Sequence, residues 1–345
     1  MRLGKSMSLT IELLQILDST FATKGIVSSD RSRIPELCRY SMKNRMLFYF
    51  LDMVGAENLS DVALLYKKEQ FSYYRSLDAI TETSFRLRME NIKHAVIKTV
   101  RPYKSTTVDI DIIIFGPKSE YEKAILVLLK ANYGMLGRGP QSTTLQHPTV
   151  DIKVDIYNEI AVSNIIYLDK QKLADFKIIR KLPNGRTVEM LAPEADLVVL
   201  IAHSIIKEHM YTLSEYYTYI NYLKQINKEK FLQLAFQSNV TIPIKTHTTI
   251  TALLHKKAFG KVPKTLENIL DALGEDTLEA ASVCKKDLEM PHKYHPLTVL
   301  RSLMEIAKEK KSRDSMALQV LRMLRPSFTK EFTKQLIQHI KRETY

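Results

Sequence analysis

Residues 106–115, TTVDIDIIIF, form the clearest β-strand pattern in the chain, and Gly116 and Pro117 end it. Asp109 and Asp111 stand two residues apart, so in a strand their side chains lie on one face. Two carboxylates in an apolar strand are costly to bury unless a cation neutralises them. The pattern therefore predicts a central strand whose aspartates share a cation. An edge strand with both aspartates facing water is the alternative.

A second acidic strand pattern follows at residues 149–157, TVDIKVDIY, in which polar and apolar residues alternate. Asp151, Lys153 and Asp155 share one face of this strand. If the strand pairs beside the first, one of its aspartates reaches the same cation. Three carboxylates, together with water and phosphate oxygens, suit octahedral Mg²⁺ or Mn²⁺. Either Asp151 or Asp155 can be the third ligand.

Helices precede and follow a compact block of mixed helix and strand patterns. Helical patterns cover residues 8–23, 34–54, 58–74, 78–91, 119–132 (capped by Ser119) and 194–224, with further helices after residue 228. Strand patterns cover residues 95–100 and 187–191, a glycine-rich loop covers 134–140, and a hairpin turn covers 182–186. These patterns predict an α+β fold, with a small mixed β-sheet core at 93–191 between an N-terminal helical region at 1–92 and a C-terminal helical domain at 192–345.

Composition excludes several classes of protein. The chain has 345 residues, 45% of them hydrophobic, and only 10 Gly and 12 Pro, which excludes disordered and collagen-like chains. Cys38 and Cys284 form neither a disulfide framework nor a zinc ribbon, so we expect two buried thiols in a reducing compartment. Without a signal-peptide or membrane-span pattern, we expect a cytoplasmic protein with no membrane partner. A net charge of +13 allows an anionic partner.

The block resembles the DNA polymerase β-type nucleotidyltransferase superfamily, and within it an uncharacterised, partly archaeal subgroup. That family has a Gly-Ser pair, then nine to thirteen residues, then Asp-x-Asp in a hydrophobic strand and a third Asp on a later strand. Here Lys98 and Thr99 precede Asp109 and Asp111 by nine intervening residues, and Asp155 looks like the third acid. Lys98 stands where that family usually has a glycine. This difference indicates a subgroup variation, an altered substrate or lost activity.

The resemblance covers about residues 95–160, and loosely extends to 225. It implies a metal-dependent nucleotidyltransferase that moves a nucleoside monophosphate from an NTP, such as ATP, to an acceptor hydroxyl and releases pyrophosphate. Asp109, Asp111 and Asp155 are then the catalytic and metal-binding residues, and Mg²⁺ or Mn²⁺ is the cofactor. Charge favours RNA as the acceptor. A tRNA acceptor and a toxin-like role both fit this general plan.

Basic and hydroxyl side chains near the block are the expected contacts for the triphosphate. These are Lys98, Thr99, Lys104, Ser105 and Lys207. Lys104 and Ser105 follow Arg101 in the connection between two strand patterns, where a solvated turn is an equal alternative. Lys207 shares a helix face with His203, four residues earlier, and the apolar neighbours of His203 favour a buried structural histidine.

Two further groups of residues allow more than one interpretation. The tyrosines stack on a base or pack in the core; they are Tyr211, Tyr216, Tyr217, Tyr219 and Tyr222. Residues 301–345 hold 11 Lys and Arg against 5 Asp and Glu, and their basic helices either face solvent or grip RNA. The basic clusters are Lys308, Lys310, Lys311 and Arg313, then Arg322 and Arg325.

Two other hypotheses compete with the enzyme. One is a catalytically weak nucleotidyltransferase-like module that binds nucleotide or RNA, and Lys98 in place of glycine is its main support. The other is a purely structural helical protein whose acidic residues form salt bridges. The two hypotheses differ from the enzyme in whether the three carboxylates converge on one cation.

Overall fold

A computed structural model of the protein describes residues 8–18, 31–325, 329–330 and 333–334. Its first helices are α1 (Leu9–Asp18), α2 (Ile34–Lys43), α3 (Leu47–Met53), α4 (Ala63–Met89) and α5 (Lys118–Lys130). Those after the sheet are α6 (Pro193–His203), α7 (Leu213–Leu223), α8 (Lys228–Gln237), α9 (Thr241–Phe259), α10 (Lys264–Leu273), α11 (Thr277–Lys285), α12 (Pro296–Ile306) and α13 (Lys310–Met323). Within the described ranges, no helix combines the length and the apolar character needed to cross a membrane.

A seven-stranded mixed sheet is the centre of the fold, which confirms the α+β prediction. Its strands are β1 (His94–Ile97), β2 (Asp109–Ile114), β3 (Gly134–Arg138), β4 (Ser142–Gln146), β5 (Lys153–Tyr157), β8 (Lys177–Lys181) and β9 (Thr187–Leu191). The spatial order is β3-β4-β5-β2-β1-β9-β8. The pairs β2–β5 and β1–β9 are parallel, and the other neighbours are antiparallel. Strand β2 is thus central, as its isoleucine run predicts.

Short strands outside this sheet form two antiparallel pairs. They are β6 (Ile160–Val162) with β7 (Ile165–Leu168), and β10 (Met210–Tyr211) with β11 (His292–Lys293). Helices α4 and α6 both pack against β1 and β9, and α5 packs against β2 and β5. Buried apolar residues from the helices and the sheet join in one core cluster. This core holds the middle strands, and therefore their aspartates, in fixed register.

The N-terminal helices differ from the predicted ones at two places. The predicted helix at 34–54 is two helices, because Arg45 between α2 and α3 has φ 59°, a left-handed conformation that interrupts helical hydrogen bonding. The two helices predicted at 58–74 and 78–91 are the single 27-residue helix α4. Helix α1 is described from Leu9 to Asp18, and the rest of the predicted helix at 8–23 lies outside the described residues.

The predicted helix at 194–224 is also broken. Helix α6 continues into a π-helical turn, Ser204–Glu208, and His209 then adopts φ 56°. Strand β10 follows, and α7 starts at a capping box in which the side chains of Thr212 and Glu215 bond to backbone N–H groups. The helical periodicity runs through this segment, so the apolar pattern conceals the break.

Three smaller predictions are wrong. The glycine-rich stretch at 134–140 forms the edge strand β3 and its turn, because it pairs with β4. The N-cap of α5 is Pro117 rather than Ser119. Cys38 is buried as expected, but the Cys284 thiol is exposed. The predicted hairpin turn at 182–186 and the strand at 187–191 are both confirmed by the β8–β9 pairing.

Candidate active site

Three aspartates converge at the centre of the sheet. In the parallel pair β2–β5, Asp111 lies opposite Asp155, and Asp109 lies opposite Lys153. Residues in register on adjacent strands point to the same face, so this pairing places Asp155 beside the two aspartates of β2. One carboxylate oxygen from each of Asp109, Asp111 and Asp155 lies within 4.8 Å of the others. Asp151 is exposed and precedes β5, so the structure brings Asp155 to the cluster and leaves Asp151 outside.

The donor set of the cluster fits a divalent cation. Asp111 is only 2% exposed, and among the described residues its Oδ1 has no hydrogen-bond partner. A buried carboxylate oxygen without a partner is costly, and a bound cation would satisfy it. Carboxylate oxygens are the ligands that Mg²⁺ and Mn²⁺ prefer in proteins. The Thr144 hydroxyl on the neighbouring strand β4 donates a hydrogen bond to Asp155 Oδ1.

Lys98, which the sequence resemblance sets against a glycine, has a backbone conformation that favours glycine. Its φ is 44°, in the left-handed region, which costs a residue with a Cβ about 1–2 kcal/mol. The Lys98 N–H donates to Asp196 Oδ1 at 2.5 Å, and the Tyr222 hydroxyl donates to Asp196 Oδ2 at 3.1 Å. Buried Asp196 therefore anchors the turn, a role that no motif in the sequence suggests.

The Lys98 side chain enters the acidic cluster. Its Nζ lies 2.8 Å from Asp111 Oδ2 and 3.3 Å from His203 Nε2. Burial lowers the pKa of Lys98, but the carboxylates of Asp111 and Asp109 outweigh burial, so the pKa is raised. Burial and the charge of Asp111 raise the pKa of Asp109 to about 6. The lysine thus neutralises one of the three carboxylates and leaves a net negative site.

Thr99 contacts the backbone of the acidic strand β2. The Asp111 N–H donates to Thr99 Oγ1 at 2.9 Å in a buried position. This hydrogen bond ties the Lys98 turn to the middle of β2. The structure therefore places Thr99 at the site, where it positions Asp111.

The π-helical turn after α6 brings further charged residues close to the aspartate cluster. Lys207 Nζ lies 3.4 Å from the Tyr157 hydroxyl, and Glu208 Oε1 lies 3.1 Å from His203 Nε2. Burial and the positive charges of Lys98 and Lys207 lower the pKa of His203 to about 3, so the imidazole is neutral at neutral pH. Sequence reasoning missed Glu208, because the register of a π turn has no periodic signature.

A cavity of about 340 Å³, which we call the acidic cavity, opens beside the cluster. Its charged lining residues are Arg45, Glu69, Lys98, Arg101, Asp109, Asp111, Lys207 and Glu208. Ser105 also lines this cavity, whereas Lys104 does not. Lys104 Nζ instead lies 2.8 Å from Asp52 Oδ1, away from the aspartate cluster. Of the predicted triphosphate contacts, the structure therefore brings Lys98, Thr99, Ser105 and Lys207 to the acidic cavity and leaves Lys104 outside it.

The tyrosines and the C-terminal basic helices lie elsewhere. The tyrosines at 211, 216, 217, 219 and 222 are all at most 3% exposed, so they pack in the core. Lys311 on α13 forms ion pairs with Glu159 at 2.8 Å and Asp169 at 2.9 Å. The other charges of its cluster, Lys308, Lys310 and Arg313, are exposed. Ion pairs within the fold therefore offset part of the C-terminal positive charge.

No family model matches the chain, and no curated protein matches it at a significant level. The geometry of the three aspartates, the two lysines and the adjoining cavity is therefore the basis for any assignment of function.

Proposed function

We propose that the protein is a metal-dependent nucleotidyltransferase, which transfers a nucleoside monophosphate from an NTP to an acceptor hydroxyl. The observation that carries this proposal is the convergence of three carboxylates within 4.8 Å, on two adjacent parallel strands, with a buried Asp111 oxygen that lacks a partner among the described residues. Metal-dependent phosphoryl transfer needs such a cluster, because it must hold divalent cations against the phosphates.

The aspartates and the two lysines have different tasks in this proposal. Asp109, Asp111 and Asp155 would hold Mg²⁺ or Mn²⁺, which when bound stabilises negative charge on the phosphoryl oxygens. Lys207 lines the cavity and supplies a positive charge for the triphosphate. Lys98 holds Asp111 and offsets its charge.

The reaction balances without a redox partner. The acceptor oxygen forms a bond to the α-phosphorus, and the bond from that phosphorus to pyrophosphate breaks. The proton of the acceptor hydroxyl passes to Asp155, and then to solvent. Positioning of the two substrates supplies much of the rate in such transfers, because little covalent chemistry falls to the protein.

A second candidate is a binding module that holds nucleotide without transferring it. The observation in its favour is the Lys98 ammonium, which already neutralises Asp111 from 2.8 Å. A built-in cation of this kind stabilises the cluster with no metal bound. Nucleotide binding without transfer would then be the function of the acidic cavity.

Label transfer separates the two candidates. The purified protein is incubated with each α-³²P-labelled NTP, Mg²⁺ or Mn²⁺, and either total RNA or no added acceptor. We expect label on an acceptor with the wild type and with Asp314→Asn, an exposed aspartate on α13. Asp109→Asn and Asp111→Asn should each lower the rate by at least about 1000-fold. Wild-type binding of NTP without transfer to any acceptor would favour the binding module.

A further inference from the structure

We infer that a second cavity, which we call the basic cavity, binds the acceptor as a phosphorylated nucleoside. The ligand is either a free nucleotide or the terminal nucleotide of an RNA strand. The cavity measures about 490 Å³, within the usual range of roughly 300–1,000 Å³ for small-ligand sites. It lies between helix α4, the connection from β1 to β2, and the β8–β9 hairpin. Its role as an acceptor site rests on the proposed function, but binding there does not.

The charge of the basic cavity selects phosphate. Its lining includes Arg101, Lys104, Arg180 and Lys181, and no Asp or Glu among the residues that the structure describes. Lys104 is paired with Asp52, and Arg101 donates to the Thr218 hydroxyl at 3.3 Å. Arg180 and Lys181, on strand β8, show no ion pair with any other described residue. These two cations are therefore available for the phosphates of a ligand.

The basic cavity also has apolar lining residues, which suit a base and ribose. Helix α4 contributes Tyr73, Leu77 and Ile80, and the connection contributes Pro102 and Tyr103. A cavity that combines apolar and cationic lining matches a molecule with a flat hydrophobic part and a phosphate. Inorganic phosphate alone would leave the apolar residues uncovered, so a nucleotide covers more of the lining.

The basic cavity lies next to the acidic cavity, which indicates that its ligand is the acceptor of the reaction rather than a distant effector. Four residues line both cavities, namely Thr99, Arg101, Ser105 and Thr107. We call residues 99–107 the shared wall. Within it, Thr99 Oγ1 accepts the hydrogen bond from the N–H of Asp111, which is a member of the acidic cluster. The shared wall thus lies between a ligand in the basic cavity and the proposed metal site.

This location replaces the C-terminal helices as the main expected contact for RNA. On α13, Lys311 already pairs with two acidic residues, so its charge is largely offset. Arg180 and Lys181, by contrast, line a cavity with no acidic lining among the described residues. The positive charge nearest the aspartates, rather than the net charge of the C-terminal residues, should therefore control acceptor affinity.

Binding of a short fluorescein-labelled oligoadenylate RNA, followed by anisotropy without metal or NTP, tests the inference. The Arg180→Ala/Lys181→Ala variant should raise the dissociation constant about tenfold or more. A control with the same loss of charge, Lys118→Ala/Arg186→Ala, removes two exposed cations that line neither cavity and should change it less than about twofold. Equal weakening in both variants, or no weakening in either, would overturn the inference.

Two further measurements complete the test. The first is competition between AMP and the labelled RNA. If AMP displaces the RNA, the ligand of the cavity is a free nucleotide. If AMP cannot displace it, the ligand is the terminal nucleotide of a strand. The dependence of log Kd on log salt should become shallower by about 1.4 in the Arg180→Ala/Lys181→Ala variant, because two contacts at about 0.7 each are removed. An unchanged slope with an unchanged melting temperature would also overturn the inference.

The test separates this inference from the proposed function. If labelled NMP is transferred but the Arg180→Ala/Lys181→Ala variant leaves the KM for the acceptor unchanged, the basic cavity is not the acceptor site and the enzyme proposal stands. If RNA binds through Arg180 and Lys181 but no label is transferred, the cavity stands as a nucleotide site and the enzyme proposal fails. A raised acceptor KM with an unchanged KM for NTP supports both.

Discussion

The acidic and basic cavities lie on either side of one shared wall and differ in charge. Acidic and basic side chains line the acidic cavity together, whereas the charged lining of the basic cavity is entirely basic among the described residues. The aspartates of the first site come from alternation within neighbouring strands. The cations of the second come from β8, at the far edge of the sheet, and from the shared wall. A local pattern thus places two of the aspartates of one site on one face, and long-range packing places the cations of the other.

The sharpest test of the acidic cavity compares two aspartates of one strand pattern. Asp155→Asn should lower the rate of label transfer by at least about 100-fold, because it removes one of three converging carboxylates. Asp151→Asn, four residues earlier, should change the rate by less than about twofold, since Asp151 is exposed and outside the cluster. Rates are measured with labelled NTP at saturating Mn²⁺. A large loss with Asp151→Asn and none with Asp155→Asn would assign the third acid to Asp151.

A smaller effect is expected when the built-in cation is removed. Lys98→Met keeps an unbranched side chain but deletes the charge 2.8 Å from Asp111, so the affinity for Mn²⁺ should rise about tenfold. Isothermal titration calorimetry measures this affinity in the absence of NTP. Lys104→Met is the matched control, because Lys104 pairs with Asp52 and lines only the basic cavity. Equal or weaker Mn²⁺ binding by Lys98→Met would show that Lys98 does not compete with the ion.

The last prediction concerns the stability of the shared wall rather than a rate or an affinity. Thr99→Val removes the acceptor of the Asp111 N–H and leaves that buried group unpaired, so the free energy of unfolding should fall by about 1–3 kcal/mol. Thr99→Ser retains the hydroxyl and should lose less. Urea denaturation measures both variants. If Thr99→Val is as stable as Thr99→Ser, the hydrogen bond contributes little to the free energy of unfolding.

Several elements were predictable because their signals are local. The isoleucines beside Asp109 and Asp111 predict a buried central strand, and strand period places both carboxylates on one face. The turn at 182–186 and the strand at 187–191 carry their own turn and strand residues. Strand β3 was missed because its glycines favour turns, whereas pairing with β4 holds them in the sheet. The break at the π turn was missed because apolar periodicity runs across it.

The sequence by itself determined the α+β class, the acidic strand and the pair Asp109 and Asp111, since these depend on neighbours within a few residues. Only the tertiary structure selected Asp155 over Asp151, because that choice depends on the register between β2 and β5. It also directed the Lys98 ammonium to Asp111, and it brought Arg180 beside the shared wall. These placements join residues tens of positions apart, and the packing of strands and helices around one core sets distances that sequence spacing does not encode.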